Sequence, residues 1–436
     1  MPCSPQWAPA GAGADSLERN SAALGGGEGV ISSGGGAIGG AGTAPAAPNS
    51  SHYCEGAAQL ELGSGFFRAE SRPSRDLGVL LAACLPSPEP PAVLDLMAGC
   101  GIRALRYGLE AGAQTVWAND ADADRLPWLQ RNLAPLAQRR TRLRCSAHTA
   151  QKLLARCLIS ERRFDLVDLD AFGCPTALVQ PALEALRFGG VLYLASTDGR
   201  SPTGHDRPAA VRSLGAAARS HPASWEVALR LQIAVVARAA WALGRGIQPL
   251  FSFSEGRTFR TAIQLQRSPQ PREEEQLGLL AHCHGCGEQW SQSLLRLRGW
   301  PGCGCGCGAP GAKGAAKGAA PPPLAISGPL WRGPLQHPST LAAMQARAAT
   351  VPEAWVGRPT QRLLRALQAD PGLPERCWPT AELGRRLAGG TPAMDALLAA
   401  LQAEGYTALR SGVMAGQFRS NAPWPRVLEL AAALNR

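Results

Sequence analysis

Between about residues 53 and 268, short runs of strand-type residues alternate with stretches of helical periodicity, and this alternation constrains the fold more than any other property of the chain. The strand-type runs are AVLDLM, TVWAND, RLRCSA, FDLVDLD, GVLYLASTD, IQPLFSFS and FRTAIQLQ. Between them, IRALRYGLEAG, ADRLPWLQRNLAPL, TAQKLLARCL, TALVQPALEALRFG and SWEVALRLQIAVVARAAWALG carry apolar residues at i, i+3 and i+4. Such alternation predicts an α/β fold: a doubly wound, mainly parallel sheet with helices on both faces. No helix separates the last two runs, so they should form an antiparallel hairpin at one edge.

The 436 residues are enough for two globular domains. Residues 1–52 are rich in Gly, Ala and Ser and cannot bury enough apolar surface to fold. Residues 53–268 form the α/β domain. Residues 269–436 form a smaller α+β domain, mostly helical after a Gly/Ala/Pro-rich loop at 308–323. The most apolar helical stretch is broken by Arg230, Gln232 and Arg238, so no membrane span is expected. The net charge is +11, yet the first fifty residues hold Arg19 alone against Asp15, Glu18 and Glu28. The positive charge therefore belongs to the folded part, and arginine supplies nearly all of it, which points to a polyanion such as nucleic acid.

The first chemical motif is VLDLMAGCGIRAL. A strand carrying Asp95 runs into a tight turn at Gly99 and Gly101, and a helix starts near Ile102. In an open α/β sheet this carboxyl-end crevice receives a nucleotide-like ligand, and Asp120, at the end of the next strand, is placed to accept the ribose hydroxyls. The glycines alone also fit the dinucleotide fingerprint, so an NAD-linked oxidoreductase is an alternative. Asp95 favours a cationic ligand over a pyrophosphate, which makes S-adenosylmethionine the leading cofactor.

The second motif is DLDAFG. Asp170 ends a buried strand beside the same crevice, and a carboxylate there is costly unless it has a partner or a task. The exocyclic amine of a nucleobase is a weak nucleophile. A carboxylate that hydrogen-bonds its protons and stabilises positive charge as the nitrogen attacks, with Phe172 two residues on to stack the base, suits methylation of such an amine. Asp165 reads as a strand-start residue, while Asp168 is a candidate to face the cofactor.

The cysteines give a third signal. Cys283 and Cys286 form a Cys-x-x-Cys half-site, and Cys303 and Cys305 follow, with Cys307 able to substitute. Four thiolates around one tetrahedral ion predict a structural Zn2+ site. His282 and His284 are expected to be solvent-exposed neighbours. Arg362, Arg365, Arg410, Arg419 and Arg426 are candidate phosphate contacts if they share a face.

From about residue 55 to 425 the chain resembles the tRNA guanine-26 N2-dimethyltransferase family. The carrying segments are EGAAQLELGSGFFRAESRPSRDL, DLMAGCGIRALRYGLEAGAQTVWAND, DLDAFGCP, GGVLYLASTD, WEVALRLQIAVVARAAWALGRGIQPLFSFS, CHGCG, GPLWRGPL and GQFRSNAPW. The resemblance implies a Rossmann-like methyltransferase sheet, S-adenosylmethionine as donor, tRNA as partner and one or two methyl transfers to N2 of a guanine. By position it assigns Arg75, Arg103 and Asp120 to the cofactor and Asp170 and Phe172 to the guanine. His148 or Thr149 falls where the family has an acid facing the adenine, Ala171 replaces the family's proline, and Ser74 replaces its asparagine. These departures leave a catalytically reduced RNA-binding relative as a further alternative. No obligate protein partner is evident. The expected location is intracellular, in nucleus or cytoplasm, with plastid or mitochondrion open.

Overall fold

The computed structural model describes residues 52–63, 66–86, 89–301 and 324–435, all within one compact unit, Ser50–Arg436. It opens with a two-stranded antiparallel hairpin, β1 (His52–Glu55) and β2 (Ala58–Glu61), followed by α1 (Arg72–Ala83). The alternating region then runs β3 (Ala92–Asp95), α2 (Ile102–Leu109), β4 (Thr115–Asp120), α3 (Leu126–Ala137), β5 (Arg142–Ala147), α4 (Ala150–Ile159) and β6 (Phe164–Ala171). It continues with α5 (Thr176–Glu184), β7 (Leu186–Ser196), α6 (Arg207–Leu214), α7 (Ser224–Ala242), β8 (Gly246–Glu255) and β9 (Thr258–Gln266).

These strands form one seven-stranded sheet in the order β5-β4-β3-β6-β7-β9-β8. The pairs from β5 to β7 are parallel, whereas β9 is antiparallel to both β7 and β8. The expected parallel sheet with an edge hairpin is therefore what forms. Successive residues alternate between two cores, as the strand period requires. Leu94 and Val167 pack with α4, α5 and α7 on one face, while Val93 and Leu166 pack with α1, α2 and α3 on the other. Helical periodicity overran the end of α5, because Leu186 already pairs with Phe164 and belongs to β7. Gly190 is needed there: a side chain would meet the Phe164 carbonyl at 2.9 Å.

The remaining residues contain more strand than the sequence pattern indicated. An antiparallel sheet of β10 (Leu277–His282), β11 (Gln289–Ser293) and β12 (Ala325–Trp331) has the order β11-β10-β12, and β12 lies against α7. Two helices, α8 (Pro338–Thr350) and α9 (Arg358–Gln368), return to pack on α1. A last sheet of β13 (Cys377–Pro379), β14 (Ala408–Arg410) and β15 (Gln417–Ser420) has β15 at its centre. It is accompanied by α10 (Ala381–Gly384), α11 (Met394–Ala403) and α12 (Trp424–Ala433). Its core stacks Trp378 on Trp424 and Phe418, with ring centroids 5.0 and 6.0 Å apart.

A buried ion network ties this last sheet to the long helix. Arg419 on β15 donates to both carboxylate oxygens of Glu226 on α7 at 2.9 Å and to Asp370 at 2.7 Å, and Arg230 donates to the same Glu226. Arg419 is fully buried, so it cannot contact a phosphate as the sequence reading allowed.

Candidate active site

The crevice at the carboxyl ends of β3, β4 and β6 is organised around the turn between β3 and α2. Gly99 and Gly101 have φ of +56° and +86°, a backbone that a side chain would strain. A Cβ at Gly99 would meet nothing within 4 Å, so the turn faces open space. Asp120 accepts the Gly99 N–H at 2.8 Å and the Asp122 N–H at 3.0 Å, fixing the acid at the mouth of the crevice. Asp95 is fully buried beneath the turn, where its Oδ2 accepts the Ala104 N–H at 3.1 Å. Burial, then the neighbouring Asp168, pushes its pKa well above the usual carboxylate range. Asp95 therefore pins the turn from below and presents no surface to the crevice.

His148 lies at the other side of the crevice, after β5. Its backbone N–H donates to Asn119 Oδ1 at 3.1 Å, and its ring Nε2 is 2.9 Å from Arg156 Nη1.

Asp168 and Asp170 project from β6 to one face, two residues apart. Asp168 is fully buried, accepts the Tyr107 hydroxyl at 2.6 Å and lies 3.5 Å from Arg103 Nη1, so it lines the base of the site and is not exposed to it. Asp170 keeps 29% of its side chain exposed. Its Oδ2 accepts from Arg103 Nη2 at 3.0 Å and from Arg260 Nη2 at 2.7 Å, and Oδ1 has no donor among the described residues. Burial opposes ionisation, but Arg260 and then Arg103 outweigh it and hold this carboxyl far below the ordinary range. Arg103 also donates to Ser74 Oγ at 3.1 Å.

Phe172 follows at the end of the strand and is 77% exposed, which is unusual for a phenylalanine and marks a contact surface. Opposite it stands Phe66, 68% exposed, with the ring centroids 5.4 Å apart in an edge-to-face arrangement. Gly173, with φ of +73°, turns the chain, and its N–H donates to Thr197 Oγ1 at 2.6 Å. Ala171 is held as a sheet residue paired with Ser196, so strand pairing fixes the backbone that the family's proline would fix. The segment bearing Phe66 is anchored by Arg75. This arginine donates to both oxygens of Glu55 and to the Arg68 and Ala69 carbonyls, while its guanidinium lies 5.0 Å from the Phe67 ring centroid. Arg106, fully buried, joins Glu55, Asp76 and Glu110 behind it.

Two residues of this site were missed in the sequence. Phe66 follows the glycines of GSGFF and could have been noticed as the first of an aromatic pair after two glycines. Arg260 carries no local signal. It is brought in by register: Asp170 pairs with Ala195, and Ala195 with Arg260, on three neighbouring strands.

Away from the crevice, Cys283 and Cys286 flank the turn between β10 and β11. The Gly287 N–H donates to the Cys283 carbonyl at 2.8 Å, and the Glu288 N–H points at Cys286 Sγ at 3.5 Å. Cys303, Cys305 and the loop 308–323 lie outside the described residues. Among the described residues no group of three or more His, Cys, Asp or Glu is arranged around a common point for a metal. His284 is exposed as expected, but His282 is 1% exposed because it closes β10 against His221, with ring centroids 5.1 Å apart. Of the remaining candidate phosphate contacts, Arg410 pairs with Asp395 and Arg426 with Glu404 and Glu429, while Arg362 and Arg365 lie exposed on α9.

Residues 61–432 match the family described as N2,N2-dimethylguanosine tRNA methyltransferase. The chain is 29% identical over 370 residues to the tRNA (guanine(26)-N(2))-dimethyltransferase of Methanoregula boonei, covering 83% of this chain and 88% of that protein. To the enzyme of the same name from Pyrococcus horikoshii it is 26% identical over 383 residues, covering 84% and 91%. Among solved structures, Trm1 from P. horikoshii in complex with S-adenosyl-L-methionine superposes with a TM-score of 0.72 at 23% identity, over 87% of this chain and 99% of that one. That likeness establishes a Rossmann-like methyltransferase fold. The sequence matches decide against the oxidoreductase alternative.

Proposed function

Since the chain belongs to the N2,N2-dimethylguanosine tRNA methyltransferase family, we propose that it transfers one or two methyl groups from S-adenosylmethionine to N2 of guanine 26 in tRNA. The observation that carries the reading is the juxtaposition of Asp170, with one carboxylate oxygen free, and the exposed rings of Phe66 and Phe172. A base flipped out of the RNA can stack on these rings, and the free Oδ1 can accept a hydrogen bond from its exocyclic amine.

The crevice fits the donor. Its turn is open above Gly99, Asp120 stands at the mouth, and buried polar atoms at Asp168 Oδ1 and Arg103 Nη1 have no hydrogen-bond partner among the described residues. Gly99, Gly101, Asp120 and His148 would line it, Asp95 and Arg103 would shape its floor, and Arg75 would hold the adjoining segment. Bound there, S-adenosylmethionine supplies an electrophilic methyl group whose bond to sulfur breaks with the electron pair remaining on sulfur. The chain's own groups then have two tasks: Phe66 and Phe172 orient the base, and Asp170 accepts the amine proton.

We also infer a structural Zn2+ held by Cys283, Cys286, Cys303 and Cys305. The described half fits it, since a backbone N–H directed at Cys286 Sγ favours a thiolate. The division into a methyl-transfer part, residues 53–268, and a tRNA-holding part, residues 269–436, belongs to the same proposal. Arg362 and Arg365 are its nearest candidates for phosphate contact.

The experiment is nucleoside analysis by mass spectrometry of an unmodified tRNA transcript incubated with protein and S-adenosylmethionine. N2-methylguanosine and N2,N2-dimethylguanosine are expected with the wild type and neither with Asp170→Asn. Cofactor binding without either product would favour the reduced RNA-binding relative.

A further inference from the structure

Two fully buried arginines elsewhere in the protein, Arg230 and Arg106, are saturated. Arg230 spends its guanidinium on Glu226 and on the carbonyls of Trp331, Gly333 and Gly372, and Arg106 on Glu55, Asp76, Glu110 and the Trp355 carbonyl. Such arginines hold elements together. Arg260 is different. It is 2% exposed, its Nη2 donates to Asp170 Oδ2, and its Nε and Nη1 find no acceptor among the described residues. Burying a charged group with unmet donors is costly, so a purely structural role accounts for it poorly.

Its route to Asp170 is also specific. Arg260 and Asp170 stand two strands apart on one sheet face, separated by about 10 Å of backbone. The small side chain of Ala195 between them lets the guanidinium cross, passing 5.4 Å from the Tyr193 ring.

Resting on the methyltransferase reading, we infer that Arg260 is a positioning residue: with Arg103 it grips one oxygen of Asp170, so that the other stays free, oriented and able to take the amine proton of the bound guanine. In that step the new N–C bond forms as the donor's methyl–sulfur bond breaks with its electron pair left on sulfur, an N2–H bond breaks with its electrons left on nitrogen, and the proton passes to Asp170 Oδ1. The two guanidinium groups then favour its release to solvent. A second methylation needs the carboxylate ionised again, which the same grip secures.

The groups facing Asp170 set the sign of its pH response. They are Arg103 from α2, Asp95 from β3, Asp168 on β6 and Arg260 from β9, while Tyr107 bonds Asp168 and Tyr193 from β7 and Glu255 from β8 act on the two arginines. Arg103 and Arg260 are the cations of this set. Removing Arg260 leaves the carboxyl less stabilised as an anion, so its protonation moves up towards neutral pH and activity must fall as pH falls.

The test compares wild type, Arg260→Met and Arg260→Lys in single-turnover methylation of a tRNA transcript across pH, with cofactor affinity measured separately by calorimetry. Wild type should show no acid limb down to about pH 5. Arg260→Met should lose about 100-fold in rate at neutral pH, the lower end of what a positioned proton acceptor contributes. It should also gain an acid limb, while cofactor affinity and KM for tRNA move less than about threefold. Arg260→Lys, which restores a charge, should recover most of the rate and lose the limb.

An unchanged profile in Arg260→Met, or equal inactivation of both variants with loss of cofactor binding, would overturn the inference. So would an acid limb near pH 6 in the wild type, a result that needs no variant to fold. Inactivity of the wild type towards every tRNA would instead overturn the functional reading beneath it.

Discussion

Phe172→Ala should lower kcat/KM for tRNA steeply while leaving the protein's stability nearly untouched. Both rings of the Phe66–Phe172 pair are mostly in solvent, at 68% and 77% exposure, so truncating one opens no core cavity. The edge-to-face contact at 5.4 Å is worth about 1 kcal/mol at most at such exposure. A base held between two aromatic faces needs them about 7 Å apart, so the pair must part by roughly 1.5 Å as the guanine enters. Each stack returns about 1–3 kcal/mol, which corresponds to a loss of about 5- to 150-fold in kcat/KM when one face is removed. Phe66→Ala should fall in the same range, and the double variant should fall short of the product of the two losses, because a base with one face gone is already poorly held. Steady-state methylation with a tRNA transcript measures this, and thermal unfolding checks the fold. A Phe172→Ala enzyme within twofold of wild type, or one that unfolds many degrees earlier, would refute the assignment of these rings to the base.

Glu226→Gln should destabilise the protein by about 3–5 kcal/mol in denaturant unfolding, because Arg230 and Arg419 remain buried without their shared anion. Burial would raise the Glu226 pKa, but Arg419 and then Arg230 lower it from 4.5 to about 2. Its contribution of about 3 kcal/mol is thus present above pH 4.5 and is lost as pH falls towards 2, so the wild type should lose more stability than the variant across that window. Asp120→Asn should weaken cofactor affinity by about tenfold in calorimetry with little change in melting, and an unchanged affinity would remove Asp120 from the cofactor site. Cys283→Ser and Cys286→Ser should each abolish the zinc retained by the purified protein, read by elemental analysis, without altering cofactor affinity. Zinc retained by both variants would sink the proposed ligand set.

The parts of this protein that could be read from the sequence are those governed by local pattern. The β5-to-β7 sheet follows from alternation of periods, and the β8–β9 hairpin from the lack of a helix between its strands. The Gly99–Gly101 turn and the Asp170–Phe172 pair are each contained within a few residues of a strand end, where position and chemistry coincide. What escaped depends on long-range pairing. The hairpin at His52–Glu61 and the strands of Cys377–Pro379, Ala408–Arg410 and Gln417–Ser420 are three or four residues each, too short to show a period. Arg260 reaches Asp170 across 90 positions of sequence through register alone. Charge was misread for the same reason. Arg419 looks like one more surface arginine until Glu226 and Asp370 close around it. His282 escaped because β10 turns its ring inward against His221.

The central claim is that this crevice methylates one guanine of tRNA. Transfer of labelled methyl from S-adenosylmethionine to an unmodified transcript tests it most directly, set beside a transcript whose guanine 26 is replaced by adenine. Incorporation into the first, absent from the second and absent with Asp170→Ala, is the predicted result. Equal incorporation into both transcripts would contradict the claim.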